Sequence, residues 1–127
     1  KGMLNQGWDD FRVFVGAETL LLNNMRNGGA GCISATANVN PAGIYKLFSK
    51  WQSDKADNIQ LELNTVRSIF QKYPMIPALK AAAAIYGGDP NWFRVLPPLV
   101  ALDDTQIIEL TQALNGINFS MPGLKET

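Results

Sequence analysis

Apolar residues recur along this chain in two rhythms, and the change between them divides it. Phe11-Arg-Val-Phe-Val15 is a run of aromatic and β-branched residues with no helical period, closed by Gly16, and it predicts a buried strand. Between Glu18 and Asn27 the period lengthens. Leu21, Leu22 and Met25 fall on one helical face, and Gly28 supplies the left-handed position that ends a helix. Gly31-Cys-Ile-Ser-Ala35 is too short and too rich in small residues for a helix, and the preceding Gly28-Gly29 makes it a second buried strand. Asn40 then stands as an N-cap with Pro41 at the first helical position, opening a helix whose apolar residues Ile44, Leu47, Phe48 and Trp51 are spaced i, i+3, i+4 and i+7.

From Asp57 onward the strand signal is gone. Ile59, Leu63, Val66, Phe70 and Tyr73 keep a helical period as far as Pro74, with Asp57 as the expected cap. Pro77 is expected to open a further helix that runs through Ala81–Ala84 to Tyr86 and stops at Gly87-Gly88. The connector Leu96-Pro-Pro-Leu99 follows. Asp103 with Gln106 three residues on forms a capping box for a last helix carrying Ile107, Ile108, Leu110 and Leu114 and ending near Gly116. The predicted order is βαβα followed by three helices, with no internal repeat.

Each predicted strand delivers its C-terminal end into a glycine-marked turn and a helix, the βα arrangement of a barrel whose active site lies at those strand ends. At 127 residues the chain is long enough to bury a core, yet it is about half of the ~250 residues of a closed (β/α)8 barrel. It is therefore expected to carry part of a site. Lys plus Arg equals Asp plus Glu at 11 each, so no basic stripe points to nucleic acid or to an anionic membrane. No apolar run reaches the ~18 residues of a membrane span. Charged residues are 17% against 46% hydrophobic, a balance that suits burial against a second surface such as an oligomer partner. A single cysteine, Cys32, favours a reducing, cytoplasmic setting. Histidine is absent, which removes the commonest general base, the Ser-His and Cys-His pairs and the usual zinc ligand.

The segment Gly28-Gly-Ala-Gly-Cys-Ile-Ser-Ala-Thr-Ala-Asn-Val39, preceded by Val13-Phe-Val-Gly-Ala-Glu18, closely resembles the end of the barrel in the dihydrodipicolinate synthase and N-acetylneuraminate lyase family. Ile76-Pro-Ala-Leu-Lys-Ala-Ala82 resembles that family's Ile-Pro-x-x-Lys-x-Ala helix start, and Val95-Leu-Pro-Pro-Leu99 its proline segment before the last helix. The resemblance implies an α/β fold: the last two βα units of a (β/α)8 TIM barrel over residues 1–53, then a three-helix C-terminal extension over 54–127. It further implies a lyase, a class I aldolase that joins pyruvate or another 2-oxo acid to an aldehyde through a Schiff base on a barrel lysine, in a homotetramer. No metal or organic cofactor is implied, because the imine serves as the electron sink. The family's lysine is followed by an acidic residue and small hydroxyl residues, whereas Lys1 is followed by Gly-Met-Leu-Asn and is expected at the surface. The catalytic lysine and the proton-relay tyrosine are thus expected outside this sequence. Leu96 and Ala101 also depart from the family's usual Arg and Pro.

The resemblance places the substrate-binding candidates at Ile33, Gly16, Ala17, Glu18 and Ser34, with no catalytic residue among them. Ile33 matches the isoleucine that borders pyruvate, against the plainer reading of a core strand residue. Glu18 is either a substrate-facing residue or an acidic residue complementing a helix N-terminus, and Ser34 either lines the site or caps backbone groups. Lys80 in its alanine-rich helix reads as a snorkelling or ion-paired lysine. Tyr45, Tyr73 and Tyr86 read as core or subunit contacts, and Trp92-Phe93 as a loop anchored on helices. Two other functions stay open: a non-catalytic half-barrel interaction module, and a sugar-acid lyase or keto-deoxy-sugar aldolase of the same family, on which only the residues around Glu18 bear.

Overall fold

A computed structural model describes residues 2–7 and 9–124; Lys1 lies outside them. The chain forms two compact units, Lys1–Thr65 and Val66–Thr127. The division falls inside one helix, a different place from the 53/54 junction that the family resemblance suggests.

In the first unit, β1 (Phe14–Val15) pairs in parallel with β2 (Gly31–Cys32), Phe14 opposite Gly31 and Val15 opposite Cys32. Both strands are shorter than their composition predicts. A ladder is as long as the two segments can stay in register, and β2 is confined between the turn at Gly28 and a 3-10 turn at Ala35–Asn38. Hydrogen bonds from Ala30 N to Val13 O (2.8 Å) and from Ile33 N to Val15 O (2.9 Å) carry the pairing one residue past each end.

Between the strands, a 3-10 turn at Glu18–Leu20 leads into α1 (Leu21–Arg26). The helix ends as its glycines predict. Gly28 takes φ +85°, Gly28 N donates to Met25 O (3.1 Å) and Gly29 N to Asn24 O (2.7 Å), the paired bonds of a Schellman stop. After β2, α2 (Pro41–Lys50) starts on Pro41 behind Asn40, although the Asn40 side chain makes no capping bond. The first part of α3 (Ala56–Phe70) completes this unit, and Leu21, Leu22, Met25, Leu47, Ala56, Ile59 and Leu63 form its buried core with Cys32, Ile44 and Trp51 packed at the edge. Asp57 does not cap α3 as expected. It sits inside the first turn, and its carboxylate takes both ends of the Arg26 guanidinium (3.0 and 2.7 Å), a pairing that holds Asp57 below the usual carboxylate range.

A single buried amide locks strands to helix. Asn24 Nδ2 donates to Val13 O (3.1 Å) and to Gly31 O (3.0 Å), so its two hydrogens go one to each strand. The space this needs explains Gly29, where a Cβ would collide with the Asn24 side chain.

In the second unit, α4 (Met75–Gly87) begins two residues before the expected Pro77, which is buried in the first turn, and stops at a left-handed Gly88. Ala78, Leu79, Ala81, Ala82 and Ala84 are buried, so the alanine run provides a face flat enough for close packing by α5 (Asp104–Gly116) and the 3-10 turn Pro90–Phe93. Lys80 Nζ lies 5.8 Å from the Trp92 ring centroid, the snorkelling arrangement in a cation–π form. The capping box of α5 is present, with Gln106 N donating to Asp103 Oδ1 (2.8 Å) and Asp103 N to Gln106 Oε1 (3.1 Å). Leu110 and Leu114 are buried on this helix, whereas Ile108 is exposed. Asn118, at φ 52°, is the left-handed residue past its end, and Phe119 N folds back to Leu114 O (3.0 Å). That turn sets the Phe119 ring edge-on to Phe70 (6.3 Å) and Tyr86 (5.5 Å).

Replacing Asn24 by Ala removes a buried donor from two backbone carbonyls at once, Val13 O keeping its bond from Ala30 N, and it is expected to destabilise the folded protein by about 1–3 kcal/mol; the shift of the urea midpoint measures this. Asp103→Ala removes only a solvent-exposed cap and is expected to cost about 1 kcal/mol in the same assay.

Candidate functional site

The candidate site is built where β1 and β2 end. After Val15 the chain passes through exposed Gly16 and half-buried Ala17, whose backbone is still extended (φ −144°, ψ 137°), and turns at Glu18. After Cys32 it passes through Ile33 and Ser34, also extended (φ −123°, ψ 146° at Ser34), and turns at Ala35. Both exits leave in the same direction because the strands are parallel, so the two turns lie side by side.

Strand alternation sorts the side chains at this edge. Val15 and Cys32 are partners in the ladder and share a face, and Cys32 packs on the helical core. Ile33, the next residue, points to the other face with Gly31 and its partner Phe14. Phe14 is 50% exposed and Ile33 75% exposed. Among the described residues, nothing else in this unit covers an isoleucine this open at a strand end.

Behind Ile33 lies a closed polar cluster. Glu18 is 1% exposed, Ser34 8% and Thr36 0%. The Ser34 hydroxyl donates to Glu18 Oε2 and the Thr36 hydroxyl to Glu18 Oε1, with Ser34 Oγ and Thr36 Oγ1 3.0 Å apart. Each hydroxyl has one hydrogen, and both hydrogens go to the carboxylate. Gln60 on α3 secures the same turn from behind: its Nε2 donates to Glu18 O (3.0 Å), and its Oε1 accepts from Leu22 N (3.0 Å). Gln60 thereby serves an N-terminal amide of α1, a helix whose own N-cap, Leu20, has no side chain that could do so.

The Cys32 thiol is pushed up from its ordinary value, first by burial and then by the negative charge of Glu18. Both effects disfavour the thiolate, and Cys32 packs against the edge of the helical core. Among the described residues no group of three or more His, Cys, Asp or Glu side chains could hold a metal ion, and no helix is long and apolar enough to cross a membrane.

All five predicted residues therefore meet at one strand-end edge, with Gly16, Ala17 and Ile33 toward the open side and Glu18 and Ser34 behind them. Thr36, Gln60 and Asn24 were not singled out as site or framework residues. Their signal is present in the sequence: Asn24 and Gln60 fall on the apolar faces of their helices, beside Leu21 and Met25 and beside Ala56, Ile59 and Leu63. A polar residue at such a position is buried and must be hydrogen-bonded.

The family model of the dihydrodipicolinate synthetase family matches residues 3–117. The 4-hydroxy-tetrahydrodipicolinate synthase of Methanopyrus kandleri is 35% identical over 103 residues, 77% of this chain and 33% of the relative. That of Thermoanaerobacter sp. (strain X514) is 31% identical over 109 residues, 83% of this chain and 36% of the relative. The chain thus spans about a third of the length of these relatives. Among solved structures, YagE of E. coli K12, a prophage protein of the dihydrodipicolinic acid synthase family solved in complex with pyruvate, superposes with a TM-score of 0.74 at 28% identity, over 86% of this chain and 38% of that one. The dihydrodipicolinate synthase of Aquifex aeolicus shares the fold with a TM-score of 0.80 at 20% identity, over 96% of this chain and 42% of that one. With the motifs of both strand exits and both later helices in order, and a family match over nearly the whole chain, the protein belongs to the dihydrodipicolinate synthetase family.

Proposed function

We propose that this chain supplies one wall of the 2-oxo acid pocket of a Schiff-base-forming class I aldolase, with pyruvate as the nucleophilic partner and an aldehyde as the acceptor. The observation that carries the reading is the open Ile33 at the end of β2, beside the Gly16-Ala17 loop that ends β1. In this reading residues 1–53 are the last two βα units of a (β/α)8 barrel and residues 54–127 a three-helix extension. The pyruvate held by the related YagE supports the choice of substrate.

The chemistry divides between two parts of the enzyme. An amine of lowered pKa attacks the keto carbon, water leaves, and the resulting iminium accepts the electron pair released when a methyl proton is removed. That amine and the tyrosine that relays the proton lie outside Lys1–Thr127. The wall described here excludes water on the apolar side of the bound acid through Ile33, while the backbone at Gly16 and Ala17 approaches closely because no large side chain stands there. Glu18 and Ser34 form the rear of the wall. No metal or organic cofactor enters this scheme, and the enzyme works in the cytoplasm as a homo-oligomer. Variation around Glu18 is the place where a sugar-acid lyase or keto-deoxy-sugar aldolase would differ in its second substrate.

Two measurements test this. Borohydride added with pyruvate to the intact protein that carries this sequence is expected to leave one reduced adduct per active site, mapping by mass spectrometry outside Lys1–Thr127; an adduct on Lys80 or any other lysine of this sequence overturns the assignment. Ile33→Asp sets a carboxylate beside an anionic substrate in a poorly hydrated pocket and is expected to lower kcat/KM for pyruvate by roughly tenfold or more with the fold retained. Ile44→Asp, at the edge of the helical core, should instead reduce the yield of folded protein. An Ile33→Asp enzyme with normal pyruvate kinetics excludes Ile33 from the site.

A further inference from the structure

We propose that Glu18 is a positioning residue: its carboxylate braces the exits of β1 and β2 together and so fixes Ile33 at the substrate wall, without touching substrate itself. The proposal rests on the reading of this edge as a 2-oxo acid pocket. Ile33 is 75% exposed, so packing within its own unit does little to hold it. Its position is set by its backbone and by the residue that follows. Ile33 N is bonded to Val15 O (2.9 Å), which fixes the strand side. Ser34, directly after it, is held through its hydroxyl by Glu18, and Thr36, two residues further on, by the other oxygen of the same carboxylate.

These bonds join segments 16 and 18 residues apart and link the two exits through side chains. The carboxylate is 1% exposed, although the wall in front of it is open. At that exposure Glu18 presents almost no surface to a substrate, whereas Ile33 and Gly16 are exposed. A buried carboxylate with both oxygens receiving hydroxyl donors is strongly held, because charge-assisted bonds in a dry environment are among the strongest available. The donors are specific as well: Thr36 is fully buried, and its carbonyl accepts from Val39 N (3.0 Å) and Asn40 N (2.8 Å), so the brace is continuous with the start of α2.

The test uses the intact protein and two readouts: amide hydrogen exchange over residues 31–38, followed by mass spectrometry, and steady-state kcat and KM for pyruvate. Glu18→Ala is expected to speed exchange across 31–38 about tenfold and to raise the pyruvate KM about tenfold, with kcat changed less than threefold, because an interaction made equally in the ground and transition states is lost. Glu18→Gln keeps the length and can still accept one hydroxyl and donate to the other, so it should recover most of both. Thr36→Val alone should show a part of each effect and add little in the Glu18→Ala background, since the two groups act as one unit. If Glu18→Ala does not fold, Thr36→Val carries both readouts. A folded Glu18→Ala enzyme with a lowered Tm but unchanged exchange and pyruvate KM overturns the proposal, and so does a defect confined to the KM of the aldehyde, which would make Glu18 a direct contact to the second substrate. If the wild-type protein neither turns over pyruvate nor traps it with borohydride, the pocket reading fails. The brace is then judged by exchange alone, and unchanged exchange in Glu18→Ala overturns it.

Discussion

The Glu18 carboxylate is the constraint around which the first unit is arranged. A carboxyl side chain sealed to 1% exposure is tolerated only when its oxygens are satisfied, and here each oxygen receives a hydroxyl from another segment. That requirement ties the turn after β1 to the turn after β2. It turns Ser34 and Thr36 toward Glu18: for Ser34, still extended, alternation along the strand leaves Ile33 on the opposite side, while Thr36 is brought round by the 3-10 turn at Ala35–Asn38. The open isoleucine and the closed carboxylate are two results of one alternation.

Strands of two residues do not supply enough ladder to hold a sheet, so side-chain amides take over part of the work. Asn24 reaches both strands from α1, and Gln60 reaches the Glu18 turn and the start of α1 from α3. Each of these is a polar side chain on an otherwise apolar helical face, and each adds hydrogen bonds to the backbone of the short elements. The framework behind the site therefore depends on a few directional bonds as much as on the apolar core of Leu21, Leu47, Ile59 and Leu63.

The second unit uses a different device. Its helices meet over alanines, so the contact is close and nearly featureless, and specificity comes from the ends: the capping box at Asp103, the left-handed Asn118 and the Phe119 ring turned back onto Phe70 and Tyr86. Exact stops matter more where the interface itself has little relief, because a helix running one residue further would carry Phe119 away from its partners.

Most of the element order was legible in the sequence, because hydrophobic period and helix punctuation are local properties. The turn at Gly28, Pro41 at the start of α2, the stop at Gly87-Gly88 and the box of Asp103 with Gln106 all depend on residues a few positions apart, and all are found. The family and the strand-end position of Gly16, Ala17, Glu18, Ile33 and Ser34 were legible for a related reason, since the motifs are contiguous. What depended on distant partners was not. The strands are shorter than Phe11–Val15 and Gly31–Ala35 because a strand is defined by what pairs with it. Asp57 leaves the capping position for an ion pair with Arg26, 31 residues away. Gln60 finds its partners at Leu22 and Glu18, 38 and 42 residues away. Sequence by itself determined which segments are helix or strand and where α1, α4 and α5 stop; only the tertiary structure decided how long the strands are and that Glu18 faces inward and Ile33 outward, because those choices are made by hydrogen-bond partners the chain brings together when it folds.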